Sequence, residues 1–421
     1  MRLPKIVTTL QDYSLRLFLA DLAAGVTVAM VALPLSLAIA IASGADPGKG
    51  LVTAIVGGFF ISLLGGSRVQ IGGPTGAFIV VVFSVIAEHG YDGLVLATFM
   101  AGMMLLLAGV FRIGGLIRYV PEPVVNGFTI GIAVIIASSQ IKDFFGLQLT
   151  KVPADFLDKL EALWGARGSA SFAASAVALS TLLLIVALRR LAPRFPGLIL
   201  AVGAASAAVV VLSLPVETIA SRFGALPNTL PVPSLPEISV DRIVELFPSA
   251  VVIAFLAGVE SLLSAMVADR IIEGKHRPNA EMLAQGTANL ASSLFGGLPA
   301  TGAIARTATN IRAGGKTPVA GLIHAVTIFL VMLVAAPLAG YLALPAMAAL
   351  LVLTAWAMSE PHKWKHYLAE PLADRLLLLI TLVLTVLVDL TVAIGVGVAI
   401  GLALRLREHG KPPEDWSMPE R

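Results

Sequence analysis

Two ionisable residues stand inside apolar stretches, where a lone charge is destabilising. Glu260 lies mid-segment in Ala257-Gly258-Val259-Glu260-Ser261, and Arg306 lies one turn into a short segment. At the centre of a bilayer each costs about 2.5–3.5 kcal/mol unless it is paired or solvated. Two roles are open to them. They neutralise each other as a structural ion pair, or Arg306 adds positive field to an anion site while Glu260 carries a proton with the substrate. Arg306 follows Gly302 by four residues, so the two share a helical face.

The backbone around them offers anion chemistry of its own. Gly72-Gly73-Pro74-Thr75-Gly76-Ala77-Phe78 interrupts the first half of the chain, and a longer passage from Gly296 to Ile304 interrupts the second. Both contain Thr-Gly-Ala, at 75–77 and 301–303, an offset of 226. The same offset sets Pro34 opposite Glu260, and an offset of 222 relates Tyr119 and Pro123 to Tyr341 and Pro345. N–H groups freed at a helix start cannot face lipid, so they face protein, water or a ligand. Each start also carries about half a positive charge from its peptide dipoles. In inverted halves the starts at Thr75 and Thr301 point at each other. Small residues there (Gly76, Ala77, Gly302, Ala303, Ala305) leave the backbone approachable, which makes an anion site. The alternative is that the glycines only let helices cross closely. Broken segments at matching positions of two halves point to the substrate site of a secondary transporter.

The elements that position these residues must lie in a membrane. Hydrophobic residues are 57% of the 421 and charged residues 13%, and the mean hydropathy is +0.91. Soluble domains carry roughly 25% charge. There is no cysteine, which excludes disulfides, thiolate metal sites and Cys nucleophiles. The stretch from Met1 to Leu15 is mixed and polar, and no cleavable leader is expected. Fourteen spanning segments are read at roughly 19–43, 51–65, 74–88, 94–111, 123–140, 171–188, 196–212, 249–268, 279–295, 302–312, 318–336, 345–358, 374–388 and 392–405. The expected fold is an all-α polytopic membrane protein of 7+7 inverted repeats, with segments 3 and 10 as half-helices meeting at the midplane. The division is an N-terminal segment 1–18, a first repeat 19–212, an extracytoplasmic linker 213–248, a second repeat 249–405 and a tail 406–421. With both termini cytoplasmic, 21 of the 29 Lys and Arg fall on the inner side, as the positive-inside rule requires. The location expected is the plasma (inner) membrane.

Other polar residues carry less. Asn279, Glu281, Gln285 and Asn289 share a face of the ninth segment and are expected to hold segments together. His324 is expected to be a satisfied packing residue, and Asp389 to cap a helix at a tight outer turn. No histidines stand at metal-ligand spacing and no phosphate-binding loop is present, so no metal, cofactor or ATP-driven step is expected.

The ordered run Glu260-Ser261-Leu262-Leu263, Gln285-Gly286 with Asn289, Phe295-Gly296-Gly297, Thr301-Gly302 with Arg306-Thr307 and Asn310, and Thr317-Pro318 also carries a family likeness. The first half adds Asp21-Leu22 with Gly25, Leu33-Pro34, Ser43-Gly44 and Gly73-Pro74-Thr75. Over about residues 15–405 the chain resembles the SulP (sulfate permease) anion transporters, in a prokaryotic form limited to the membrane domain. The resemblance implies a UraA-like fold with core and gate domains. It also implies substrate contact by Leu35 and Ile39, by Thr75, Gly76, Ala77 and Phe78, by Glu260, and by Thr301, Gly302, Ala303, Ile304, Ala305 and Arg306. Many members carry Gln where Leu35 stands and Ser-x-Ser where Ala303-x-Ala305 stands. Three side-chain donors are thereby lost, leaving backbone and Arg306 as anchors. Members usually continue into a cytoplasmic STAS domain, which is not expected in a chain reading to Arg421.

The expected function is secondary active transport of a small anion by alternating access, with proton symport of a carboxylate or dicarboxylate leading. Bicarbonate or sulfate transport, or an anion channel or exchanger of the same family, is the alternative. A nucleobase transporter of the same fold is more distant. No nucleophile–base pair supports an enzyme. The expected partners are the anion, protons and the lipid bilayer, with a homodimer as a further arrangement and no nucleic acid.

Overall fold

The computed structural model describes residues 3–115, 121–149, 152–153, 155–192, 196–388 and 390–409. Asp389, Tyr119 and the end of the tail lie outside them. Among the described residues the regular structure is helical except for two two-residue strands. A short α1 (Lys5–Thr9) precedes α2 (Leu15–Ala42), whose start is capped by Ser14 accepting from the Leu17 amide. α3 (Pro47–Leu64) starts on an Asp46 cap and contains a π-helical turn at Thr53–Gly57. α4 (residues 76–89) and α5 (residues 91–110) are parted by Gly90, whose φ of 74° ends one helix and starts the next.

After these come α6 (Glu122–Ser139), α7 (Ile141–Phe145), α8 (Phe156–Gly165), α9 (Phe172–Leu191), α10 (Gly197–Val211) and α11 (Ile219–Phe223). The second half holds α12 (Val240–Ile272), α13 (Pro278–Leu294), α14 (Ile304–Arg312), α15 (Val319–Ala339) and α16 (Leu344–Met358). It ends with α17 (Trp364–Ala369), α18 (Leu372–Leu387) and α19 (Leu390–His409). Among the described residues, eight stretches are long and apolar enough to cross a membrane, including Leu15–Ala42, Val240–Ile272 and Val319–Ala339.

Two boundaries depart from the sequence reading. The eighth spanning helix begins at Val240, nine residues before 249, on a Ser239 cap. Its first turns carry Asp241, Arg242 and Glu245, so hydropathy hides them although they are helical. The tenth begins at Ile304, because Thr301 and Gly302 form a strand.

The helices sort into two bodies. α2, α3, α4 and α5 pack with α12, α13, α14 and α15, whereas α6, α9 and α10 pack with α16, α18 and α19. The bodies touch mainly where α2 meets α10 and α16. The polar α13 lies inside the first body. Its Gln285 and Glu281 both bond Ser261 of α12, and Asn289 both donates to and accepts from the Ala300 backbone. These three hold segments together as expected. Asn279 does not join them, and its Oδ1 has no partner.

Candidate functional site

The two sequence breaks meet. Gly72 and Gly73 (β1) pair antiparallel with Gly302 and Thr301 (β2). The pairing satisfies backbone that neither helix can satisfy, and the Ala303 amide extends it by donating to the Ile71 carbonyl at 2.8 Å. Glycine is needed here. A Cβ on Gly302 would stand 1.6 Å from Nε2 of Gln70, and one on Gly73, at φ +147°, 2.2 Å from Nη1 of Arg306.

α4 and α14 start directly beyond this bridge. Neither start has a side-chain cap. The first-turn amides of Gly76, Ala77, Ile304 and Ala305 therefore have no acceptor within their helices. Thr75, placed to cap α4, instead donates its hydroxyl to Oε2 of Glu260 at 2.8 Å.

Arg306 is 1% exposed. Its Nη2 crosses to the other half, donating to Oγ of Ser36 at 3.1 Å and to the Pro74 carbonyl at 3.0 Å. Its Nε and Nη1 have no protein partner. The direct ion pair with Glu260 is thus not made: Glu260 is held by Thr75 and Arg306 by Ser36 and Pro74. The guanidinium lies behind the start of α4 with donor capacity left over.

A cavity of about 360 Å³ runs from the two helix starts toward Glu122, Arg270, Glu360 and Lys363 at one end of the bundle. Its walls include Leu35, Ile39, Thr75, Gly76, Ala77, Glu260, Ala303, Ile304, Ala305 and Arg306. Phe78, Thr301 and Gly302 are not in the wall. Phe78 is packed in the core, Thr301 donates to the Ala257 carbonyl, and Gly302 is closed off by Gln70. At the far end Lys363 and Tyr367 both donate to Oε2 of Glu360 at 2.9 Å.

The sequence profile of the sulfate permease family matches residues 18–381. The chain belongs to the sulfate permease family. Among its relatives, YvdB of Bacillus subtilis (strain 168), named provisionally as a sulfate transporter, is 44% identical over 373 residues, covering 88% of this chain and 70% of that protein. The bicarbonate transporter BicA of Synechocystis is 32% identical over 339 residues, covering 78% of this chain and 59% of that protein. The solved transmembrane domain of a cyanobacterial BicA superposes with a TM-score of 0.82 at 31% identity, covering 90% of this chain and 98% of that one. SLC26A9 shares the fold, at a TM-score of 0.87 and 18% identity, with coverage of 96% and 68%. As a member of this family the chain is a multi-pass membrane protein of an anion-transporter family, not an enzyme.

Part of the cavity wall escapes sequence reasoning. Asn126, Phe128 and Thr129 of α6 and Thr354 and Met358 of α16 face the helix starts from the other body. Asn126, a polar residue in an apolar segment, was the available signal. Ser36 of α2, which Arg306 bonds, gave a similar signal. His324 is fully buried as expected, but it is not satisfied, because neither ring nitrogen has a protein partner.

Proposed function

We propose that the chain carries a small carboxylate-type anion across the membrane by alternating access, with a proton on Glu260. The observation that supports this most is the pair of uncapped helix starts, joined by β1 and β2 and opening on one cavity. Their amides offer donors from two directions, and a planar carboxylate can accept from both with its two oxygens. Arg306 adds positive charge behind α4 without filling the cavity. A bare chloride would keep few hydrogen bonds between such small residues.

Glu260 faces the same cavity and accepts one hydrogen bond, from Thr75. As a carboxylate it repels an anion; with a proton it does not. Anion and proton therefore favour each other's binding, and the coupling is reciprocal. Bicarbonate is the first anion to test, since the BicA membrane domain matches nearly end to end. Fumarate or succinate follows because the walls leave room for a second carboxylate. Sulfate, named for YvdB, is the alternative without a carboxyl group.

In this reading the end of the bundle carrying Arg270 and Lys363 is cytoplasmic, in the inner membrane, and the cavity is open inward. The repeats 19–212 and 249–405 then supply the two bodies that move. Proteoliposomes loaded with buffer alone and given bicarbonate, fumarate, succinate, sulfate, nitrate or chloride test the proposal. Accumulation of a carboxylate above its outside concentration, only under an imposed proton gradient, is expected. Equal accumulation without the gradient, or chloride uptake faster than any carboxylate, refutes it.

A further inference from the structure

A second cavity, of about 580 Å³, lies on the opposite side of the helix crossing. It is walled by the N-terminal part of α12, from Glu245 to Val252, whereas the central cavity follows α12 from Leu256 to Arg270. The two come close. They reach Ala77 and Ile79 on α4, Ile132 and Ile135 on α6, and Leu256 and Val252 on α12. One helical turn, about 6 Å of rise, separates them. The second cavity thus approaches the same helix starts from the other end of the bundle.

Most charges on its wall are already engaged. Arg222 bonds Asp143 at 2.7 Å, His89 bonds Glu245 at 3.0 Å, and Glu88 accepts the Ser84 hydroxyl at 2.9 Å. Lys142 donates to the Leu149 carbonyl at 3.0 Å. Lys159 is different. It is 4% exposed, lies over the Phe83 ring of α4 at 5.4 Å, and its ammonium has no hydrogen bond or ion pair among the described residues. Its helix, α8, holds it there. Leu163, one turn on, is buried on the same side, while Leu157, Leu160 and Trp164 are exposed, as in a helix lying along a membrane interface. A desolvated cation without a partner is unstable. Asp155, one turn earlier, is exposed and makes no ion pair with it.

We infer that Lys159 is an anion-recruiting residue on the far vestibule, binding a small oxyanion before it reaches the helix starts. The inference rests on the anion-transport reading above, and its first test does not. Burial holds the ammonium below its ordinary lysine range, against the opposing charge of Asp155, and an anion bound on it shields the amine from an acylating reagent. Trace acetylation of the full chain in liposomes, read by mass spectrometry, is run in sodium sulfate, in sodium bicarbonate and in a bulky organic-anion salt of equal ionic strength. Labelling of Lys159 falls several-fold in sulfate or bicarbonate, while the exposed Lys365, outside both cavities, changes little. Equal labelling of Lys159 in all three overturns the inference, whatever the transported substrate.

Transport gives the second test. Lys159→Met raises KM about 5-fold for uptake from the vestibule side, leaves the maximal rate of that uptake unchanged, and is rescued by Lys159→Arg. A fall in maximal rate with KM unchanged would mark a merely structural lysine and overturn the inference.

Discussion

Replacing Arg306 by alanine removes a full charge from behind the start of α4. Its Nη2 is 3.0 Å from the Pro74 carbonyl, two residues before Gly76, so an anion on the Gly76 amide lies roughly 6 Å from the guanidinium. At an effective dielectric of about 20 that pair is worth about 3 kcal/mol, or about 100-fold in affinity. The assay is calorimetric titration of the detergent-purified protein with bicarbonate and with sulfate. Arg306→Ala should weaken bicarbonate by about two orders of magnitude and the doubly charged sulfate by more, because the field acts in proportion to charge. The side chain also braces Ser36 and Pro74, so a loss of shape could mimic a loss of charge. Two controls separate these. Ser36→Ala removes one bond, worth about 1.5–3 kcal/mol to a charged group, yet keeps the charge; it should lower thermal stability and leave affinity within a few-fold. Arg306→Lys keeps the charge but loses the fork, and should retain part of the affinity. Wild-type affinity in Arg306→Ala refutes the field argument. Equal losses in Ser36→Ala and Arg306→Ala would move Arg306 to a bracing role.

Three further outcomes are expected. Glu260→Gln, which mimics the protonated acid, should abolish proton-driven accumulation in liposomes while retaining exchange of labelled anion; accumulation equal to wild type removes Glu260 from coupling. Ala305→Leu places a branched side chain in the cavity wall and should cut carboxylate uptake more than 10-fold with an unchanged melting temperature; normal uptake refutes the size argument. Glu281→Gln should lower thermal stability by about 1–3 kcal/mol and leave the KM of the surviving protein unchanged, measured by melting in detergent and by uptake; a changed KM with normal stability would give Glu281 a transport role.

The paired breaks are legible in the sequence because backbone must answer to lipid whatever side chains surround it. Gly76 and Gly302 therefore stand out in any apolar chain. The same logic fails for side-chain partners. Arg306 bonds Ser36 across 270 residues, and only the three-dimensional crossing makes that partner available. The β1–β2 bridge is equally hidden, since two residues per strand leave no alternating pattern. Phe128 and Met358 are ordinary apolar residues in apolar helices, and only the meeting of the two bodies makes them cavity wall. The early start of α12 is lost for the opposite reason: Asp241, Arg242 and Glu245 read as a loop when the measure is hydropathy rather than capping.

Glu260 and Glu281 show where composition and role part. Both are carboxylates in apolar surroundings, on adjacent helices of one repeat. Glu281 is fully buried and accepts from the Gly66 and Ser67 amides, the Ser261 hydroxyl and Nε2 of Gln285. Every direction its oxygens offer is occupied, and substituting it leaves those donors without an acceptor. Glu260 accepts from Thr75 alone and faces the cavity. That leaves its other oxygen free, as the proton exchange proposed above requires. The same Thr75 hydroxyl that could have capped α4 is spent on Glu260, so one short bond leaves the helix start open and fixes the acid beside it. In that proposal a change of state at Glu260 reaches the first amides of α4 through a single residue, while Arg306 is anchored to the opposite half by Ser36 and Pro74.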